Sequence, residues 1–217
     1  MRVRTTARVA VIALASFGAV GALTIADTTS VSAAANANEL APEIAASARH
    51  AVVALEAFEL TGDPADARTL AWHRAITARY TARELGYDEL AMVDAWSSAP
   101  LDHQRAVLGA LTQVGVPYRT NTSQEGVGFD CSGLTTYAWA GAGVDLYRQS
   151  GTQIQDARSV TRETAQPGDL VYYPGHVMLY LGVDDAIVHS VQTGRTVEVD
   201  TISSRRRSSV RFGDPAV

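Results

Sequence analysis

Gly128-Phe129-Asp130-Cys131-Ser132-Gly133-Leu134 is the stretch on which the reading of this chain turns. It holds the only cysteine in 217 residues. A glycine-containing loop runs into that cysteine, and Leu134 to Trp139 read as the start of a helix. A thiol at a helix N-terminus faces unpaired backbone N–H groups and the positive end of the macrodipole, both of which favour the thiolate. The thiolate, not the thiol, is the nucleophile. A cysteine nucleophile also needs a base within hydrogen-bond reach and a third group to orient that base.

Five histidines are available. His50, His73 and His103 fall in a helical region and read as surface or packed helix residues. His176 and His189 fall on adjacent predicted strands, 176–181 and 186–191, joined through Gly182-Val183-Asp184-Asp185. With Val183 and Asp184 as the central turn residues, position 176 pairs with 191 and His189 becomes its diagonal neighbour on one face. A slip of one residue would separate the two imidazoles. Leu170 to Tyr173 precedes this hairpin as a strand, and Arg195 to Ile202 follows it. Val210 and Phe212 mark a last strand. Residues 144–160 are polar and read as irregular or briefly helical.

Residues 38–113 read as helical. Ile44, Ala48, Ala51, Leu55 and Phe58 recur at helical spacing. Asp63-Pro64 starts a second helix that Gly86 stops. Asp88 caps a third, through Trp96, and Pro100 opens a fourth that ends before Gly115. The bland reading of this acidic region is a solvated helical hairpin; the functional one is a cap over the cleft or a spacer. Helices first and a meander of short antiparallel strands after them make an α+β layout.

The first 37 residues have the parts of an export signal. Arg2, Arg4 and Arg8 are basic, Val9 to Ala26 is apolar, and a small-residue run leads to cleavage after Ala37, with Ala33 or Ala35 as other sites. An uncleaved membrane anchor is the alternative, since the apolar run just reaches spanning length. A lone cysteine outside the cytoplasm forms no internal disulfide, so it is a free thiol or pairs between chains. Apolar residues make up 47%, enough for a real core, and the formal charge of −5 argues against nucleic acid as a partner. The cysteine and histidines do not match a zinc pattern such as paired Cys-x-x-Cys, and no metal or other cofactor is expected.

Gly115-Val-Pro-Tyr118, Phe129-Asp-Cys-Ser-Gly-Leu134, Gln166-Pro-Gly-Asp-Leu170, His176-Val-Met-Leu-Tyr-Leu-Gly182 and Ile187-Val-His-Ser190, in that order, resemble the NlpC/P60 family of cell-wall peptidases over about residues 108–213. The resemblance implies a papain-like domain over 114–217 with its catalytic helix on an antiparallel sheet. It further implies Cys131 as nucleophile, His176 as base and His189 as orienting residue. Tyr118, Asp130 and Ser132 would lie at the substrate subsite, and Arg148, Ser150 and Gln153 near the cleft. The expected substrate is the peptidoglycan stem peptide, cut between D-glutamate and the diamino acid by an extracytoplasmic enzyme. Arg119-Thr120-Asn121, Tyr147 and Met178 depart from the family pattern, which bears on subsite detail. Two other readings stay open: an amidase or acyltransferase using the same cysteine–histidine pair, and a non-catalytic wall-binding protein.

Overall fold

A computed structural model describes residues 38–216, and the expected export signal lies outside them. Four helices come first: α1 (Ala41–Thr61), α2 (Pro64–Leu85), α3 (Glu89–Ser98) and α4 (Leu101–Leu111). Their ends follow the predicted punctuation. Asp63 accepts a hydrogen bond from Ala65 N at 2.6 Å and Asp88 one from Ala91 N at 2.7 Å, caps worth about 1 kcal/mol each. Gly62 and Gly86 close α1 and α2 with φ of 64° and 71°, a conformation glycine adopts without penalty. No helix among the described residues is long and apolar enough to cross a membrane.

A two-stranded ribbon, β1 (Ser123–Gln124) and β2 (Gly128–Phe129), leads into α5 (Cys131–Gly141). After α6 (Ser150–Asp156) come β3 (Arg158–Val160), β4 (Leu170–Tyr173), β5 (His176–Tyr180), β6 (Ala186–Ser190), β7 (Val197–Thr201) and β8 (Arg211–Asp214). These six form one antiparallel sheet in the order β3-β8-β4-β5-β6-β7. The layout is α+β, as the pattern implies. The ribbon and β3 go beyond the sequence reading, whereas α6 is the brief helix allowed for within 144–160. Two-residue strands carry no periodicity. Arg158-Ser159-Val160 is an edge strand with two exposed residues, so it shows no apolar alternation.

Strand alternation sends Val177, Leu179, Val188, Val197 and Val199 to one side of the sheet. There they share a single core with Leu134, Ala138 and Trp139 of α5 and with the apolar faces of α1 to α4. The opposite face holds a smaller cluster of Val171, Met178, Tyr180, Ile187, Ile202 and Phe212. Polar bonds tie the helices to the sheet. Trp96 Nε1 of α3 donates to Leu181 O at 2.8 Å, and Trp139 Nε1 of α5 donates to Gly168 O at 3.1 Å. The Asn38 amide both donates to Val199 O and accepts from Val199 N, each at 2.9 Å, and so covers part of the β7 edge.

His103 of α4 is the polar centre of this packing. It is 2% exposed, and its Nε2 lies 3.3 Å from Asp169 Oδ1 and 3.4 Å from Asp214 Oδ1. The nitrogen sits between the two oxygens, so neither contact is a straight hydrogen bond, and both Nε2 and Asp169 Oδ1 fall short of strict bonding geometry. On the other side Nδ1 bonds Asp102 Oδ1 at 2.9 Å. Burial works against charge on this ring, yet the Asp169 and Asp102 carboxylates outweigh it and raise its pKa above the ordinary 6.5. The result is a buried imidazole whose charged form is favoured by acids drawn from α4 and the turn before β4, with a further acid of β8 beside it.

A histidine with a raised pKa stabilises the fold fully below its unfolded value, and that contribution is lost as pH rises through the folded one. Chemical denaturation of the wild type should therefore show stability declining on the alkaline side of pH 6.5. His103→Leu should lose about 3–5 kcal/mol at pH 6, because the buried Asp169 carboxylate loses its counter-charge while Asp214 keeps its ion pair with Arg158, and should flatten that decline. An unchanged alkaline slope in the variant would assign the titration to another group.

Candidate active site

Asp130 sets the start of α5. Its Oδ1 accepts from Gly133 N at 2.7 Å, the N-cap bond, and its Oδ2 accepts from Asn121 N at 2.7 Å. Oδ2 also takes Arg148 Nη2 at 2.7 Å, while Arg148 Nη1 donates to Ser132 Oγ at 2.9 Å. Asp130 and Ser132 are buried, and the solvent-facing member of the trio is the guanidinium of Arg148. The bond to Asp130 outweighs burial, raises the Arg148 pKa and keeps the side chain a fixed cation. Gln153 is buried beside them. It donates to Ser132 O and Tyr147 O and accepts from Thr135 Oγ1, so it fastens the Arg148 loop to α5. Ser150 is the first residue of α6, a helix whose start carries no side-chain capping bond.

Cys131 is the first residue of α5 and half-buried, with its thiol free. Gly133 is required two residues on: a Cβ there would stand 2.1 Å from Thr122 O. Asp130 N donates to that same carbonyl at 3.0 Å, so the loop 120–124 is drawn against the helix start. Tyr118 is held beside it by Tyr118 N donating to Arg195 O at 2.8 Å and by a bridge to Phe129. Burial, then negative charge at Cys131 and Asp130, raises the Tyr118 phenol. Burial also raises Tyr173, and charge on Cys131 adds to it. Both tyrosines therefore stand within electrostatic range of the thiol and stay neutral.

The β5–β6 hairpin has the register the sequence predicts: Leu179 opposes Val188 and Tyr180 opposes Ile187, the register that sets 176 against 191 when extended. His176 and His189 accordingly share a face, and His176 Nε2 lies 2.8 Å from His189 Nδ1. Both rings are 8% exposed. The Tyr173 ring lies 5.3 Å from that of His176. Burial, with a smaller contribution from His189, lowers the pKa of His176 from 6.5 to about 3. His176 is therefore a neutral imidazole at neutral pH, with one ring nitrogen committed to His189 and the other able to accept a proton. Its linkage sign is opposite to that of His103: protonation is resisted in the fold, so stability is lost as pH falls from 6.5 toward about 3.

Three participants lie beyond what sequence reasoning assigns. His103 is legible as a packed histidine, but two of its acids come from positions 66 and 111 residues away (103 to 169 and to 214) and carry no local signal. Arg148 is legible as a residue near the cleft, without its Asp130 and Ser132 partners. Asp200, whose Oδ2 lies 3.6 Å from His189 Nε2, has no motif to mark it. His103, Asp169 and Asp214 are also the group of converging metal-type ligands found among the described residues.

Residues 115–212 match the profile of the NlpC/P60 family. Peptidoglycan endopeptidase RipB of Mycobacterium tuberculosis is 37% identical over 115 residues, covering 46% of each chain. Gamma-D-glutamyl-L-lysine dipeptidyl-peptidase of Bacillus cereus is 34% identical over 94 residues, 40% of this chain and 28% of that one. A solved NlpC/P60 family protein from Bacillus cereus aligns over 52% of this chain and 39% of its own, with 26% identity and a TM-score of 0.48. The matched stretch spans about half, or less, of the length of these relatives.

Gly133→Ala should destabilise the protein by about 1–3 kcal/mol, because the added methyl would press on the Thr122 backbone carbonyl and on the capping Asp130 Oδ1. A thermal melt reads this directly. A melting temperature equal to that of the wild type would mean that the loop 120–124 moves aside freely and does not fix the helix start.

Proposed function

Residues 115–212 belong to the NlpC/P60 family, and on that premise we propose that this protein is a cysteine peptidase that hydrolyses amide bonds in peptidoglycan stem peptides. The observation that carries the reading is the 2.8 Å contact between His176 Nε2 and His189 Nδ1, taken together with a unique cysteine at a helix N-terminus. Cys131 is the nucleophile, His176 the base and His189 the residue that orients it. Tyr118, Asp130 and Ser132 border the subsite, with Arg148 as the charge that reaches solvent.

The neutral imidazole of His176 takes the thiol proton while the sulfur attacks the scissile carbonyl. The Cys131 backbone N–H, at the open end of α5, donates to the oxyanion. As the tetrahedral species collapses, His176 returns its proton to the departing amine and a thioester remains on Cys131. Water then attacks the thioester, His176 accepts its proton, and the acid product leaves with the thiol restored. Strong burial suits His176 to the role of base, because its resting state is the free imidazole and a charged ring exists only while the proton is in transit.

The name of RipB points to peptidoglycan, and that of the Bacillus cereus gamma-D-glutamyl-L-lysine dipeptidyl-peptidase favours the bond between D-glutamate and the diamino acid. Such a substrate lies outside the cytoplasm, which fits residues 1–37 acting as an export signal and 38–217 as the mature chain. Within that chain we assign 38–113 as a helical region and 114–217 as the catalytic domain, with the two sharing one core.

Purified peptidoglycan incubated with the wild type should release cleaved stem peptides, identified by mass spectrometry. Cys131→Ala should abolish release with an unchanged melting temperature. His176→Ala should reduce it by roughly three to four orders of magnitude, since it removes the base. Stem-peptide cleavage by Cys131→Ala would sink the cysteine mechanism. A thiol with ordinary reactivity, together with peptidoglycan binding but no cleavage, would move the reading to a wall-binding protein.

A further inference from the structure

His189 donates or accepts at two nitrogens, and the mechanism above uses one. Its Nε2 is buried and makes no hydrogen bond of normal length. Two acids of β7 share the His189 face, because His189 opposes Glu198 and Ile187 opposes Asp200 in register. Glu198, the direct neighbour, is taken: its Oε1 accepts from Arg195 Nε at 3.0 Å and from Thr196 Oγ1 at 3.1 Å, and its Oε2 from Arg195 Nη2. Asp200, the diagonal neighbour, brings Oδ2 to 3.6 Å from His189 Nε2. Its other oxygen accepts from Thr201 N at 2.7 Å, which fixes the carboxylate rotamer. Asp200, His189, Tyr173, Met178 and Arg206 border one small cavity of about 160 Å³ on this face.

We propose that Asp200 is a positioning residue that selects the proton arrangement of the His176–His189 pair, resting on the assignment of Cys131, His176 and His189 made above. Two neutral imidazoles joined by one hydrogen bond have two arrangements. In one, His176 Nε2–H donates to His189 Nδ1, which leaves His176 Nδ1 free to take the thiol proton and puts the second hydrogen on His189 Nε2. In the other, His189 Nδ1–H donates to His176 Nε2, and the His189 Nε2 lone pair points at the Asp200 carboxylate. The second arrangement sets lone pair against anion and is disfavoured. When the thiol proton arrives at His176, the same carboxylate stabilises the positive charge spread over the pair.

The surroundings keep Asp200 ionised for this role. Burial opposes ionisation, but the close His189 ring, the bond from Thr201 N–H and the nearby Arg195 charge hold its carboxyl below the usual carboxylate range. Arg206, whose guanidinium lies 4.4 Å above the Tyr173 ring, adds a second cation at the cavity wall, and Glu198 is neutralised by Arg195. His176 stays neutral until catalysis, and Tyr173, raised by burial, is neutral as well.

The test compares wild type, Asp200→Asn, Asp200→Ala and Asp200→Glu by three readouts. Long-range 15N–1H spectra at pH 7.5 should show wild-type His189 as a single tautomer protonated at Nε2, and both Asn and Ala variants as a mixture. Iodoacetamide alkylation of Cys131 against pH should move its midpoint down by about half a unit without the carboxylate, since the resting imidazoles are neutral and loss of a nearby like charge favours the thiolate on that order. Turnover should fall about tenfold through kcat with KM within about twofold, a milder form of the loss seen when an orienting acid is made neutral. The Glu variant should recover part of each. An unchanged His189 tautomer with an unchanged alkylation midpoint in Asp200→Ala would overturn the proposal. Stem-peptide cleavage by Cys131→Ala, or a wild type without activity on peptidoglycan, would instead refute the proposed function and leave the first two readouts to decide this one.

Discussion

One carboxylate, that of Asp130, gathers three segments at the start of α5. It caps the helix through Gly133 N, draws in the 120–124 loop through Asn121 N, and pins the 147–149 loop through Arg148. Cys131 is the next residue, so its direction is set by bonds that its own side chain does not make. An isolated N-cap would leave the loops free to drift and the thiol to follow them. Three charge-assisted bonds to one buried group remove that freedom. The glycine in C-S-G-L belongs to the same arrangement: without a side chain, Gly133 lets Thr122 O approach closely enough to receive Asp130 N.

Two buried histidines show how environment divides a common side chain into opposite roles. His103 is surrounded by carboxylates and holds its proton; His176 has a second imidazole as its polar neighbour and sheds it. Desolvation acts on both rings in the same direction. The difference lies in whether anions lie close enough to overcome it. A charged His103 suits a fixed ion pair in the core, and a neutral His176 suits a proton acceptor.

The decisive features of the sequence are local. Helix caps, Pro and Gly punctuation and strand alternation each act within a few residues, and they locate α1 to α5 and β4 to β8. The His176–His189 pairing is legible because a hairpin turn converts spacing into register. What escapes is of another kind. β3 is short and lies in a polar stretch, where tertiary pairing with β8 decides the outcome. The acids around His103 and the ion pair between Arg148 and Asp130 depend on segments that meet only after folding. Asp200 escapes for a subtler reason. It reads as one of several acids on an alternating strand, and only the diversion of Glu198 to Arg195 leaves it as the group facing His189.

These long-range contacts also bind the helical region to the site. Pro167-Gly168-Asp169 reads as a turn, and in the folded chain its glycine and its acid each hold a different neighbour. Gly168 has φ of 96°, and a Cβ there would come within 3.2 Å of His103 O, so α4 packs directly on the turn. Gly168 N donates to Tyr180 O and Tyr180 N to Asp169 O, both at 2.8 Å, which closes the base of the β4–β5 hairpin. Asp169 then accepts Gln166 N and faces the His103 imidazolium. His176 begins β5 at the other end of that hairpin. Its place is therefore fixed from both ends, by His189 across the sheet and by the His103–Asp169 contact at the base. Helices outside the matched 115–212 stretch thus supply the charge that anchors the strand carrying the base.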